Sequence, residues 1–287
     1  MKIRQRLATL KAALNVFKPC LKGIIMVIIG MLNTRAGIGI GRLTSNLLYG
    51  LIGFGLIAIS GLFIMEMIKM RNLTITIISP IELRSDLFSA IFAFSGIAVI
   101  VLYSIFANLG FLPILISFLI VILLYLLALI ALNNRKYSRV IGNIITTLIF
   151  SLGLIFGATL NNAMFSLPIW LFFLGISLLQ MPRELMKDAI KVEEWSEMDN
   201  AVSNEEVLKV SSILIVISIA IIVIALFSGL RSPLLYLYLV IIALIFISFA
   251  LLKIKKQAID GSGIESINKL LKYTIFFQMI AFVAAAF

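Results

Sequence analysis

Apolar runs long enough to cross a bilayer recur along the whole of this chain, and they leave it few folds to choose from. Nine can be counted, at about 20–33, 44–65, 87–107, 111–132, 140–160, 166–182, 208–229, 232–252 and 268–287, the first short and broken by glycine. In hydrocarbon every backbone N–H and C=O must find its partner within the protein, which admits α-helices or closed barrels. A barrel needs alternating segments of about ten residues, and these runs are longer and do not alternate. The expected fold is therefore all-α, a polytopic membrane bundle of nine transmembrane helices. Hydrophobic residues make up 62% of the chain and charged residues 13%, whereas soluble domains are about one-quarter charged. With no polar stretch beyond about 27 residues, residues 1–287 read as a single transmembrane domain with no soluble one. The basic stretch 1–22 lacks a small-residue cleavage site after its first apolar run and reads as mature chain.

Lysine and arginine set the orientation. Placing successive connections on alternate sides puts 21 of the 24 basic residues on the side of the N-terminus, and Arg35, Arg42 and Arg231 alone on the other. All 13 acidic residues share the basic side. Basic residues are retained in the cytoplasm, so the expected protein is multi-pass in the cell membrane with a cytoplasmic N-terminus. Its polar material gathers in cytoplasmic loops after segments two, six and eight, over 66–86, 183–209 and 253–272. The net charge of +11 comes from residues at the ends of apolar runs. Anionic lipid headgroups explain it, and nucleic acid is not an expected partner.

Composition also removes chemistry. There is no histidine and a single cysteine, Cys20, so the chain by itself offers no bis-histidine haem, no iron–sulfur cluster and no histidine base. No acidic residue is expected at mid-depth, where coupling-ion sites of transporters lie. Gly37, Gly39 and Gly41 follow no strand and read as a loop, not a dinucleotide fingerprint. Gly153 and Gly157 form a small-xxx-small pair that permits close helix packing. The run Lys253, Lys255 and Lys256 reads as a cytoplasmic stop with lipid contact.

Chemistry, if present, belongs at the stretch 181–195, where the longest polar segment begins. Eight of the 13 acidic residues lie within 184–206. Helical spacing puts Glu184, Asp188 and Lys191 on one face and Arg183 and Lys187 on the neighbouring one. Such a helix end beside a membrane fits a metal and phosphate site or a solvated loop.

The order of the motifs resembles the UbiA superfamily of intramembrane prenyltransferases, and within it the archaeal digeranylgeranylglyceryl phosphate synthase branch. Lys18-Pro19 resembles the Arg-Pro that opens the first helix. Lys136, Gly142-Asn143 and Phe156-Gly157-Ala158 resemble the run through helix five. The Arg183, Glu184, Lys187 and Asp188 block is similar to that after helix six, and Lys269 with Lys272 resembles the start of the last helix. The resemblance implies transfer of a prenyl group from its diphosphate to a lipid acceptor, with two Asp-rich loops holding magnesium. It makes Lys136, Arg183 and Lys187 candidates for binding the diphosphate, and Glu66, Asp188 and Glu184 candidates for the metal.

The chain departs from that pattern at both Asp-rich positions. Leu62, Phe63, Glu66 and Met70 stand at the first, with Lys69 close by; Asp188, Lys191 and Trp195 stand at the second, with Glu193 and Glu194 on other faces. A lysine three residues after an aspartate pairs with it on a helix, and an ammonium there repels Mg²⁺. Two readings follow. In the first, the chain keeps the bundle and an apolar lipid cavity but not catalysis, and is a non-catalytic lipid- or isoprenoid-binding protein or a subunit beside other membrane proteins. In the second, it is an active prenyltransferase with an altered site, magnesium-dependent, serving ether-lipid or quinone synthesis.

Overall fold

The computed structural model describes residues 2–34, 40–73, 80–134, 138–163, 165–194, 204–230, 232–255 and 261–285. Among the described residues there are nine α-helices and no strand: α1 (Lys2–Asn33), α2 (Ile40–Leu73), α3 (Pro80–Ala107), α4 (Leu112–Asn133), α5 (Ser138–Thr159), α6 (Leu167–Glu194), α7 (Asn204–Ala225), α8 (Pro233–Lys255) and α9 (Gly261–Ala284). Eight of them, α2 to α9, contain a stretch long and apolar enough to cross a bilayer. This is a multi-pass helical membrane protein, with one helix for each apolar run. Gly37 and Gly39, read above as a loop, lie outside the described residues, whereas Gly41, read with them, lies in the first turn of α2.

Local chemistry sets several helix ends. Proline, whose missing N–H costs nothing in the first turn, opens α3 and α8 and lies in the first turn of α4. Left-handed residues close others: Asn108 (φ 55°) and Gly110 (φ 80°) follow α3, Asn162 (φ 56°) follows α5 and Gly229 (φ 83°) follows α7. The amide of Leu109 then returns to the carbonyl of Ser104 at 3.1 Å, and that of Ala163 to Ala158 at 3.0 Å.

The chain divides into two compact units. The first comprises Met1–Met31 and Arg35–Met164 and holds α1 to α5. Here the small-xxx-small pair works as expected. A Cβ on Gly153 would collide with the carbonyl oxygen of Gly23, and one on Gly157 with that of Val27. Helices α1 and α5 thus touch backbone to backbone, the geometry that small residues permit where lipid gives no hydrophobic drive to associate. Asn161 Nδ2 donates to the Met31 carbonyl at 2.9 Å at the end of this seam. Elsewhere in the unit α2 packs on α3, α4 and α5. Ser89 Oγ lies 3.0 Å from both Ser60 Oγ and Tyr125 Oη, so one polar knot joins α2, α3 and α4. A second knot runs from Tyr103 Oη to Asn46 Oδ1 (2.8 Å) and from Asn46 Nδ2 to the Leu160 carbonyl (3.1 Å).

The second unit comprises Leu32–Thr34 and Phe165–Phe287 and holds α6 to α9. In it α6 packs on α7 and α9, and α8 on α9 and α7. Ser218 Oγ donates to the Gly175 carbonyl at 2.9 Å, tying α7 to α6. Phe172 stacks on Phe282 with centroids 4.0 Å apart, tying α6 to α9. On α8 the buried residues are Tyr236, Val240, Ala243, Ile247 and Ala250. That alternating spacing of three and four makes one stripe, while Leu234, Tyr238, Ile241, Ile245 and Phe249 on the other faces stay apolar and exposed, as a lipid-facing surface requires.

Candidate functional site

The charged stretch that stands out in the sequence is the continuation of α6. The apolar half of that helix runs to Met181, and Pro182 follows inside the helix. Proline brings no N–H, so the carbonyl of Leu178 loses its usual donor one turn back. The helix nevertheless continues, because Arg183 and the residues after it carry a side-chain network of their own. Gln180 Nε2 donates to Glu184 Oε1 at 2.6 Å, and Lys187 Nζ donates to the same oxygen at 2.5 Å. Arg183 Nη1 donates to Gln180 Oε1 at 3.3 Å. Arg183 and Glu184 are each only 8% exposed. The Nε of Arg183 is buried with no hydrogen-bond partner among the described residues. Arg183 and Lys187 therefore stand to either side of the Glu184 carboxylate, and Arg183 keeps a buried donor still to be satisfied. Such a group is costly to leave unmade, and a guanidinium is built to meet phosphate or carboxylate oxygens in pairs.

Other polar groups of this unit stand at the same height. The Ser218–Gly175 bond and the Phe172–Phe282 stack fix the antiparallel register of α6 against α7 and α9. Counting back along the helices from those anchors, Ser211 falls level with Pro182 and Asn268 with Met186, within about one turn of Arg183. Ser211 Oγ and Asn268 Oδ1 are also buried without partners among the described residues. Deeper on α9, Gln278 is 1% exposed and neither its amide nitrogen nor its oxygen is bonded. The sequence does carry a signal for Gln180 and Gln278, each a lone amide inside an apolar run. Nothing singles out Ser211 and Asn268.

Of the candidates named from the sequence, the structure brings Arg183, Glu184 and Lys187 together, with Asp188 adjacent on the same helix. Lys136 and Trp195 lie outside the described residues. Glu66, Lys69, Lys191, Glu193 and Glu194 belong to α2 and α6, but their side chains lie outside the described part. A carboxylate pairs with a lysine three residues on between Glu184 and Lys187; the pair foreseen for Asp188 and Lys191 falls on a side chain outside the described part. Magnesium, which the resemblance implies, needs several oxygen ligands in near-octahedral array. The described donors do not fit it. Glu184 Oε1 already serves an ammonium and an amide, and among the described residues no three acidic, histidine or cysteine side chains converge.

The chain matches a solved structure reported for digeranylgeranylglyceryl phosphate synthase in membranes, with a TM-score of 0.66 and 19% sequence identity over 95% of this chain and 99% of that one. The chain therefore shares the fold of that structure over nearly its whole length, as the resemblance implied. No protein-family model and no curated protein sequence matches the chain.

Proposed function

We propose that this chain is a non-catalytic member of the UbiA type that holds the anionic head of an isoprenoid or lipid on Arg183 and Lys187. It acts as a lipid-binding protein or as a subunit of a membrane complex. One observation carries the reading: the carboxylate of Glu184, which stands where the resemblance puts a metal ligand, is engaged by Lys187 and Gln180, while the neighbouring Arg183 keeps an unpaired buried donor. The positive charge that magnesium would bring to a diphosphate is thus supplied by the protein. Asp188, one turn on from Glu184, is assigned to the mouth of the site, and Lys136 and Glu66 stay candidates through the sequence resemblance alone. The basic ends of the helices favour a cytoplasmic position for this face and for the N-terminus, in the cell membrane.

Geranylgeranyl diphosphate is the ligand to test, on the full chain in detergent. Saturable binding is expected that chelation of divalent cations changes less than about twofold, that Arg183→Gln weakens at least about tenfold, the scale of one charged hydrogen bond, and that yields no product with lipid acceptors. Magnesium-dependent turnover abolished by Asp188→Ala would overturn the reading. It would establish the second one, an active prenyltransferase of ether-lipid or quinone synthesis, which the end-to-end fold match favours.

A further inference from the structure

A groove of about 430 Å³ lies on the outside of the second unit, lined by Phe246 of α8 and by Lys272, Tyr273, Phe276 and Phe277 of α9. Its floor is a continuous aromatic surface. Phe246 lies 5.6 Å, centroid to centroid, from both Tyr273 and Phe277, and Phe277 meets Phe276 edge-on at 5.8 Å. The charged member is the unusual one. Lys272 is exposed, and it lies beyond the start of the last apolar run, on a helix that crosses the bilayer. Two neighbouring cations are engaged: Lys269 pairs with Glu265 at 2.8 Å, and Lys253 donates to Ser266 at 2.5 Å. Among the described residues no carboxylate pairs with Lys272.

A lysine beside lipid near the end of an apolar span favours a counter-charge, and its flexible stem lets the ammonium reach the headgroups. From these facts we infer that the groove is a binding site for one anionic phospholipid, its phosphate on Lys272 and one acyl chain laid over Tyr273, Phe276 and Phe277. Charge selects the occupant. A neutral lipid or an apolar helix would fill the aromatic floor but leave the ammonium uncompensated. This site is on the lipid-facing side of α8 and α9, separate from the Arg183 network, and does not depend on what that network holds.

The test is native mass spectrometry of the full chain released from vesicles of equal parts phosphatidylglycerol and phosphatidylcholine. One phosphatidylglycerol is expected to be retained over phosphatidylcholine by at least about fivefold. Lys272→Gln should reduce that preference to near unity, while Lys269→Gln leaves it intact. Phe277→Ala should lower retention of long-chain phosphatidylglycerol more than that of a short-chain form, and the thermal midpoint of each variant shows that it is folded. Equal retention of the two lipids by the wild-type chain, or a preference that survives Lys272→Gln in folded protein, would overturn the proposal. So would a second copy of the chain, or geranylgeranyl diphosphate, that is lost on Lys272→Gln.

Discussion

The ammonium of Lys187 sits 2.5 Å from Oε1 of Glu184, one turn back on α6. That oxygen also accepts from Gln180. The bond gives the buried Glu184 carboxylate a counter-charge and lowers the cost of burying it beside Arg183, since removing one partner of such a cluster leaves the other charge uncompensated.

Glu184→Gln should therefore have two opposite effects. With the carboxylate gone, stability falls by about 1–2 kcal/mol, the order of a lost hydrogen bond to a charged group. The uncompensated Arg183 and Lys187 then hold geranylgeranyl diphosphate several-fold more tightly. Thermal unfolding and a binding titration on the same preparation check both; weaker binding by a folded variant would show that Glu184 touches the ligand favourably.

Gly157→Leu should separate α1 from α5. Its side chain would enter the space held by the Val27 carbonyl, which cannot move without its helix. Overpacking costs about 1–3 kcal/mol where neighbours can adjust, and a backbone neighbour puts this change at or above that range. A lowered thermal midpoint, with Gly142→Ala as the control because nothing lies within 4 Å of its added Cβ, is the expected pattern.

Ser89→Ala removes the middle of the knot between α2, α3 and α4, leaving Ser60 Oγ and Tyr125 Oη without their shared partner. Interhelical hydrogen bonds in membranes average about 0.6 kcal/mol and reach about 1.7 kcal/mol. A loss of about 1 kcal/mol is expected, and adding Tyr125→Phe to it should cost little more; additive losses would mean that the two contacts act independently.

Gln278→Met should stabilise the protein or leave it unchanged, in contrast to most core substitutions. The amide makes no hydrogen bond on either atom, and thioether in its place removes an unmade pair worth about 1–3 kcal/mol. If Gln278→Met instead lowers the melting temperature of the ligand-loaded protein alone, its amide reads a bound head.

The nine helices were legible because hydrocarbon solubility and backbone satisfaction leave one solution for each apolar run. Their ends on the basic side were not. The first run starts at residue 20 whereas α1 starts at Lys2, the sixth stops at 182 whereas α6 reaches Glu194, and the last starts at 268 whereas α9 starts at Gly261. An apolar run reports where lipid begins, and a helix bearing Arg183, Glu184 and Lys187 continues past that boundary on pairings of its own. The cluster's membership could be read from helical spacing, which set Glu184 and Lys187 within reach. Its bonding could not, because the choice by Gln180 of Glu184 as acceptor is a rotamer decision that spacing leaves open. Asn268 and Ser211 were invisible for a plainer reason: their heights depend on the register of α7 and α9 against α6, which no local pattern records.

The glycine seam also has an order in time. Asn161 and the Met31 carbonyl that it clasps are 130 residues apart in the chain. At about 5–20 residues per second of synthesis, roughly 6–26 s separate the emergence of the two sides. Throughout that interval the Gly23 and Val27 carbonyls of α1 wait in the nascent membrane for a helix that has not yet been made, so a ribosome stalled before α5 leaves α1 with its narrow face open to whatever small-residue helix passes.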